Sequence, residues 1–311
     1  MAHIYDVFQR HPKNPILTRE DVPYLCNTVF NAAVCKFNDE YLMLIRVEET
    51  SGISHLTLAR SKDGVHFTVD KEPWIRPSED PEYEPYERYG VEDPRITQID
   101  DEFLITYVAY GPYGPRTGIG VTRDFRTFER ICLMTESDNK DCVIFPEKIG
   151  GMYVRLDRPG GMGGRRACIW ISYSPDLIFW GRSKMLLAPE PGWGASKLGV
   201  STPPLKTEKG WLVLYHGVRE TASGRIYRVG AMLLDLEKPD RIRAYTPRFI
   251  LAPREYYERV GDVPNVVFPC GFTAENGIMR VYYGAADTCI CLAEAPIDEI
   301  IRACTARPEN P

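Results

Sequence analysis

Residues 90–97 read Gly-Val-Glu-Asp-Pro-Arg-Ile-Thr, so Glu92, Asp93 and Arg95 gather two carboxylates and a guanidinium around Pro94 at the head of a strand-like run. An Asp before Pro often does no more than begin a turn. It can also aim a carboxyl at a substrate, and the residues around it decide between the two. Polar residues recur at comparable places along the chain: Asn31, Asn139-Lys140-Asp141, Lys197 with Ser201, and Asn265 before short turns, then Arg46, Tyr107, Arg158, His216 and Asp287 after them. Each alone has a structural reading. Arginines pair with acids on surfaces, a histidine after a strand usually satisfies a hydrogen bond, and aromatics such as Trp211 and Tyr215 pack in cores. Five independent turns, however, have no structural need to collect polar groups at one end.

The set holds cations at Arg46, Lys140, Arg158 and Lys197, with His216 available, and acids at Glu92, Asp93, Asp141 and Asp287. It contains no Ser-His-Asp or Cys-His arrangement, and the histidines at 3, 11, 55, 66 and 216 have no metal-ligand spacing. Hydrolysis of a glycoside needs two carboxylates, one as acid and one as nucleophile or base. The acids here could supply that pair. Cations suggest another division of labour, because inorganic phosphate is already anionic and needs donors and positive charge to hold it, not a base. One general acid then suffices.

The elements that must position these groups are hairpins. Five times the chain runs from a strand through a polar or glycine turn into an apolar strand, with turns at Asn38-Asp39-Glu40, Asp100-Asp101-Glu102, Gly150-Gly151, Glu208-Lys209-Gly210 and Glu275-Asn276-Gly277. A hydroxyl-x-Asp mark follows at Ser61/Asp63, Thr122/Asp124 and Ser174/Asp176, with fainter copies at Asp240 and Asp298. The intervals between these aspartates are 61, 52, 64 and 58 residues. Such a period predicts an all-β, five-bladed β-propeller forming a single domain over residues 1–311 with short terminal extensions. Helical periodicity is nearly absent outside Pro296 to Arg302, and the tail from Thr305 reads as disordered.

Composition narrows the partners. A formal net charge of −5 gives no basic field for nucleic acid or anionic lipid. No apolar run approaches a membrane span and the first residues have no signal-peptide core, so the expected location is the cytoplasm. Nine scattered cysteines without a CxxC pair read as reduced, mostly buried thiols.

The motifs Asn14-Pro-Ile-Leu17, Ser61-Lys-Asp-Gly64, Val91-Glu-Asp-Pro-Arg-Ile96, Phe145-Pro-Glu-Lys-Ile149, Thr202-Pro-Pro-Leu-Lys-Thr207, Tyr215-His-Gly-Val218 and Tyr282-Tyr-Gly-Ala-Ala-Asp287 are specific in their order and spacing. Through them the chain resembles glycoside hydrolase family 130, the β-mannoside phosphorylases and their relatives, over nearly its whole length. That resemblance implies the five-bladed propeller, with Asp93 as sole general acid acting through the 3-hydroxyl of the bound mannose, Pro94 fixing the turn and Arg95 orienting the loop. It implies phosphate on Lys140, Arg158, Lys197, His216 and Tyr227, and mannose on Asn31, Arg46 and Asp287. Arg155 is an alternative to Arg158, because residues 160–166 look like an insertion or lid. The expected partners are a β-linked manno-oligosaccharide and inorganic phosphate as co-substrate, with no other cofactor, no metal and a homo-oligomer allowed. The expected reaction is inverting, giving α-mannose 1-phosphate. A β-mannosidase on the same fold and a propeller that only binds are the rivals. Linkage and acceptor choice fall to loops at Pro81 to Tyr89 and Pro112 to Thr117.

Overall fold

The computed structural model of the chain describes residues 6–160 and 167–305. The expected lid at 160–166 therefore lies, from residue 161 on, outside the described residues, as does the tail from residue 306. The fold is all-β. Two consecutive left-handed residues close three of the hairpins: Asn38 and Asp39 (φ 49° and 60°), Gly150 and Gly151 (59° and 78°), and Asn276 and Gly277 (50° and 76°). This is the turn geometry whose twist matches that of the strands it joins.

Four hydrogen-bonded sheets result. The largest contains the first two hairpin units, whose antiparallel runs meet through a single parallel pairing of Ser54 with Gly90. This differs from five separate sheets, because the start of strand Ser54–Ser61 comes close enough to the start of strand Gly90–Ile99 to share a hydrogen-bonded edge. The third and fourth units form their own sheets. In the last unit the N-terminal strand Gln9–Arg10 pairs with Cys289–Pro296, so the two ends of the chain share a sheet.

The cores lie between units. Val29, Ile45 and Ala59 of the first unit pack with Tyr282 and Leu292 of the last. Leu42 and Leu58 pack with Ile96 and Ile105 of the second, and Leu104 and Ile119 with Cys142 and Ile144 of the third. Val154 and Ile171 meet Val213 and Met232 of the fourth, while Leu214 and Ala231 meet Val281 and Cys291 of the last. A single sheet cannot cover both its faces; here each neighbour covers the next.

The hydroxyl-x-Asp marks are turns. Asp63 Oδ1 accepts the amides of Val65 and His66, Asp124 Oδ1 those of Arg126 and Thr127, and Asp176 Oδ1 those of Ile178 and Phe179. In the fourth unit that role belongs to Asp235, which accepts the amides of Glu237 and Lys238. Asp240 instead pairs with Lys184, and Asp298 sits in the first turn of helix Ile297–Thr305, so neither is a copy of the turn. Among the described residues no helix is long and apolar enough to cross a membrane.

Candidate active site

One irregularity repeats in the inner strands. Pairing skips between Phe30 and Ala33, between Glu92 and Arg95, and between Lys140 and Val143. These are β-bulges, which re-aim side chains and are frequent beside active sites. In each, the residue after the last regular pair turns left-handed: Asn31 (φ 47°), Asp93 (46°) and Asp141 (57°). Asn and Asp tolerate that backbone better than other residues with a Cβ. In the fourth unit the corresponding break is wider, with Lys197–Val200 and Leu205–Thr207 both pairing with Gly210–Thr221 on either side of residues 201–204.

The bulges open onto a cavity of about 260 Å³ lined by Asn31, Arg46, Asp93, Lys140, Arg158, Lys197, His216, Tyr227 and Asp287. These are the nine residues singled out from the sequence. Asp141, Arg225, Val263, Val266 and Phe268 complete the wall. Arg155 is elsewhere: it donates to the Met134 carbonyl, pairs with Asp157 at 3.0 Å and covers the Trp180 ring. Tyr107 is buried with its hydroxyl on Glu87 at 2.7 Å, away from the cavity.

Asp93 is 6% exposed, and its Oδ1 accepts Asn31 Nδ2 at 2.8 Å and Arg46 Nη1 at 3.0 Å. Burial pushes its carboxyl up, but Arg46, Arg95, Lys140 and the Asn31 hydrogen bond outweigh this and hold it below the ordinary range. Glu92, which accepts Arg46 Nη2 at 2.9 Å, moves the other way because burial dominates. Arg95 lies beneath the cavity, donating to the Asp93 carbonyl at 2.8 Å and the Ser201 carbonyl at 3.2 Å. It thereby ties the bulge of the second unit to the break in the fourth.

A second cluster centres on Asp141, 1% exposed. Its Oδ2 accepts Arg158 Nε at 2.5 Å and lies 3.4 Å from His216 Nε2, while its Oδ1 is 3.5 Å from Arg95 Nη2. Burial works against its ionisation, yet Arg158 and Arg95 hold the carboxyl well below its usual range. Burial, reinforced by Arg158 and Lys197, pushes His216 down to about 3, so its ring is neutral near pH 7. Gly199 makes this approach feasible, since a Cβ there would stand 2.6 Å from His216 Nε2. Burial and Arg158 push Lys197 down to about 8, and its ammonium lies 5.0 Å above the Tyr227 ring. Burial and the neighbouring Asp93 raise Asp287 to about 7.

The cavity thus joins an acid held by Asn31 and Arg46 to a basic wall, with five cationic side chains against three carboxylates. Asp141 stood among the sequence's mouth acids but without a role; its neighbours show it to be the anchor of the basic wall. Arg225, beyond the expected positions, reaches the cavity from the hairpin between Gly210–Thr221 and Gly224–Leu234, whose polar tip carries no signal of it.

This all-β scaffold is that of a glycoside-processing enzyme. It aligns with the solved β-1,2-mannobiose phosphorylase from Listeria innocua in its β-1,2-mannobiose complex, with a TM-score of 0.88, 31% identity and coverage of 96% of this chain and 99% of that one. In sequence it is 34% identical to a β-1,4-mannooligosaccharide phosphorylase of Ruminococcus albus over 96% of this chain and 91% of that protein. It is 33% identical to a β-1,2-mannobiose phosphorylase of Listeria innocua over 94% and 97%. The profile of glycoside hydrolase family 130, described as β-1,4-mannooligosaccharide phosphorylase, matches residues 5–306. The chain belongs to that family.

Proposed function

We propose that the chain is an inverting phosphorylase of β-mannosides, cleaving manno-oligosaccharides with inorganic phosphate to give α-mannose 1-phosphate and a shortened acceptor. The observation that carries this reading is the basic wall of Lys140, Arg158, Lys197 and Arg225 in the same cavity as Asp93. Relatives named for the same chemistry, with β-1,4 or β-1,2 linkages, support it. The scaffold is read as one five-bladed propeller domain, a reading supported by five cores each shared between two units, the last also with the first.

In this mechanism mannose rests on Asn31, Arg46 and Asp287, and phosphate on Lys140, Arg158, Lys197, His216 and Tyr227. A phosphate oxygen forms the new bond to the anomeric carbon as the bond to the glycosidic oxygen breaks. Asp93 supplies the proton to that oxygen through the mannose 3-hydroxyl, so the acceptor leaves neutral. His216, neutral, stands with Nε2 3.4 Å from the ionised Asp141 and Nδ1 3.4 Å from Ser201 Oγ. It stiffens the wall without adding charge. Arg46, Arg95 and Lys140 hold Asp93 low; a bound phosphate dianion offsets these cations and returns it toward protonation. The acid is then ready when the nucleophile is in place.

Phosphate dependence tests the reading. The protein incubated with β-1,4- or β-1,2-mannobiose should consume sugar in step with phosphate and stop when phosphate is omitted. Sugar loss at a rate indifferent to phosphate would make the chain a β-mannosidase.

A further inference from the structure

Exposed aromatic rings stand beside the cavity and take no part in the chemistry above. Tyr89 and Tyr110 are 45% and 39% exposed, and their rings meet edge to face at 5.8 Å. The Tyr89 amide donates to the Tyr110 carbonyl at 2.8 Å, which fixes the pair to the outer end of the second hairpin. The pair adjoins the site: Lys140 Nζ lies 5.8 Å from the Tyr110 ring centre and 3.8 Å from Glu92 Oε2. In the sheet Tyr110 is paired with Gly90, three residues before Asp93, or about 10 Å along the strand. Tyr113, 64% exposed, continues the patch beyond Gly111 and packs on Tyr86 at 5.9 Å.

A cluster of exposed rings at the rim of a polar cavity marks a ligand groove more often than an idle surface. The chemistry of the site says which ligand. In an inverting displacement the nucleophile and the leaving group occupy opposite faces of the anomeric carbon. Asp93 protonates the leaving oxygen, so the departing sugars must lie on the side of Asp93, whose own hairpin carries these tyrosines. Lys197, His216 and Tyr227, on the phosphate side, come from the fourth unit, while Lys140, the phosphate ligand nearest the tyrosines, reaches toward Glu92 beside Asp93 and so borders both sides. The carbon-hydrogen face of a pyranose is apolar and suits a tyrosine ring, whose hydroxyl remains free for polar contacts.

We propose that Tyr110 and Tyr89, extended by Tyr113, form the platform on which the acceptor sugars of a manno-oligosaccharide stack. The proposal rests on the phosphorylase reading and specifies its acceptor side. The test is kinetics in the synthetic direction, with α-mannose 1-phosphate as donor and β-1,4-mannobiose as acceptor, on wild type, Tyr110→Phe and the double variant Tyr89→Ala/Tyr110→Ala. Loss of the rings should raise the acceptor KM about tenfold, the equivalent of roughly one stacking contact. The KM for α-mannose 1-phosphate should stay at the wild-type value, and Tyr110→Phe should restore acceptor affinity. An unchanged acceptor KM in the double variant would overturn the platform, including the case where size-exclusion chromatography shows the rings to be a contact between two copies. A wild-type protein without turnover in either direction would instead defeat the phosphorylase reading. Calorimetric titration with mannotriose then decides the platform alone: binding by the double variant that is weaker than wild type, or lost, supports it, and equal binding by the two proteins, or none by wild type, overturns it.

Discussion

Asn31 and Asp93 occupy the same bulge position in neighbouring units, and the Asn31 amide donates to Asp93 Oδ1 at 2.8 Å. The left-handed backbone at both residues is what turns their side chains toward each other. Asn31 is held from behind by Gly284, where any Cβ would collide with the Asn31 side-chain oxygen Oδ1 and stand 2.9 Å from its backbone nitrogen. Gly284→Ala, which touches no substrate in this account, is expected to push Asn31 off Asp93. It should lower kcat on the order of 10- to 100-fold through misplacement of the acid. Steady-state kinetics beside a far-UV circular dichroism spectrum separate that from unfolding.

Asp93 is expected to be indispensable for turnover and dispensable for binding. Asp93→Asn should lower kcat by about 10²- to 10⁴-fold, the range for removal of a general acid, while calorimetry still detects manno-oligosaccharide. In wild type the acid is needed protonated, so activity falls as pH rises through its pKa. Because cations hold Asp93 low in the free protein and bound phosphate offsets them, the alkaline limb of kcat should lie at higher pH than that of kcat/KM. Coincident limbs would refute the coupling.

Lys197 supplies a separate pH dependence. Burial and Arg158 lower its ammonium to about 8, so below that pH it is charged and above it the basic wall loses a cation. The KM for phosphate should therefore climb as pH rises through 8, with little matching change in the KM for the oligosaccharide. Lys197→Met should raise the phosphate KM at every pH and flatten this climb.

The Asp141–Arg158 pair is expected to matter for stability as well as for phosphate. Arg158→Met leaves the Asp141 carboxylate buried without its 2.5 Å partner, which should cost about 3 kcal/mol. Adding Asp141→Asn removes the stranded charge and should recover part of the loss. Urea unfolding of both single variants and the double variant measures the coupling; strictly additive losses would show that the pair is not a unit.

Much of this was legible in the sequence because hairpin turns have strong local chemistry. The turns at Asn38-Asp39, Gly150-Gly151 and Asn276-Gly277 require left-handed residues and contain them. What failed was register. Strand pairing sets Arg46 against Phe30 and Arg158 against Lys140, and the equivalent partner of Glu92 is Val108, so Tyr107 is one place off and faces the core. A slip of one residue reverses the face of a strand. The fourth unit misled in a similar way, because Leu233-Leu234-Asp235 keeps the turn aspartate but has lost the hydroxyl two places before it. The bulges themselves, which aim Asn31, Asp93 and Asp141, depend on pairing across strands and leave little mark in local sequence.

The central claim is that phosphate attacks the anomeric carbon from the face opposite the group protonated by Asp93. Proton NMR of the first product formed from β-mannobiose in phosphate buffer tests this most directly, because the anomeric signal reports both the new bond and its configuration. The expected initial product is α-mannose 1-phosphate. Initial β-mannose 1-phosphate, or free mannose without the phosphate ester, would contradict it.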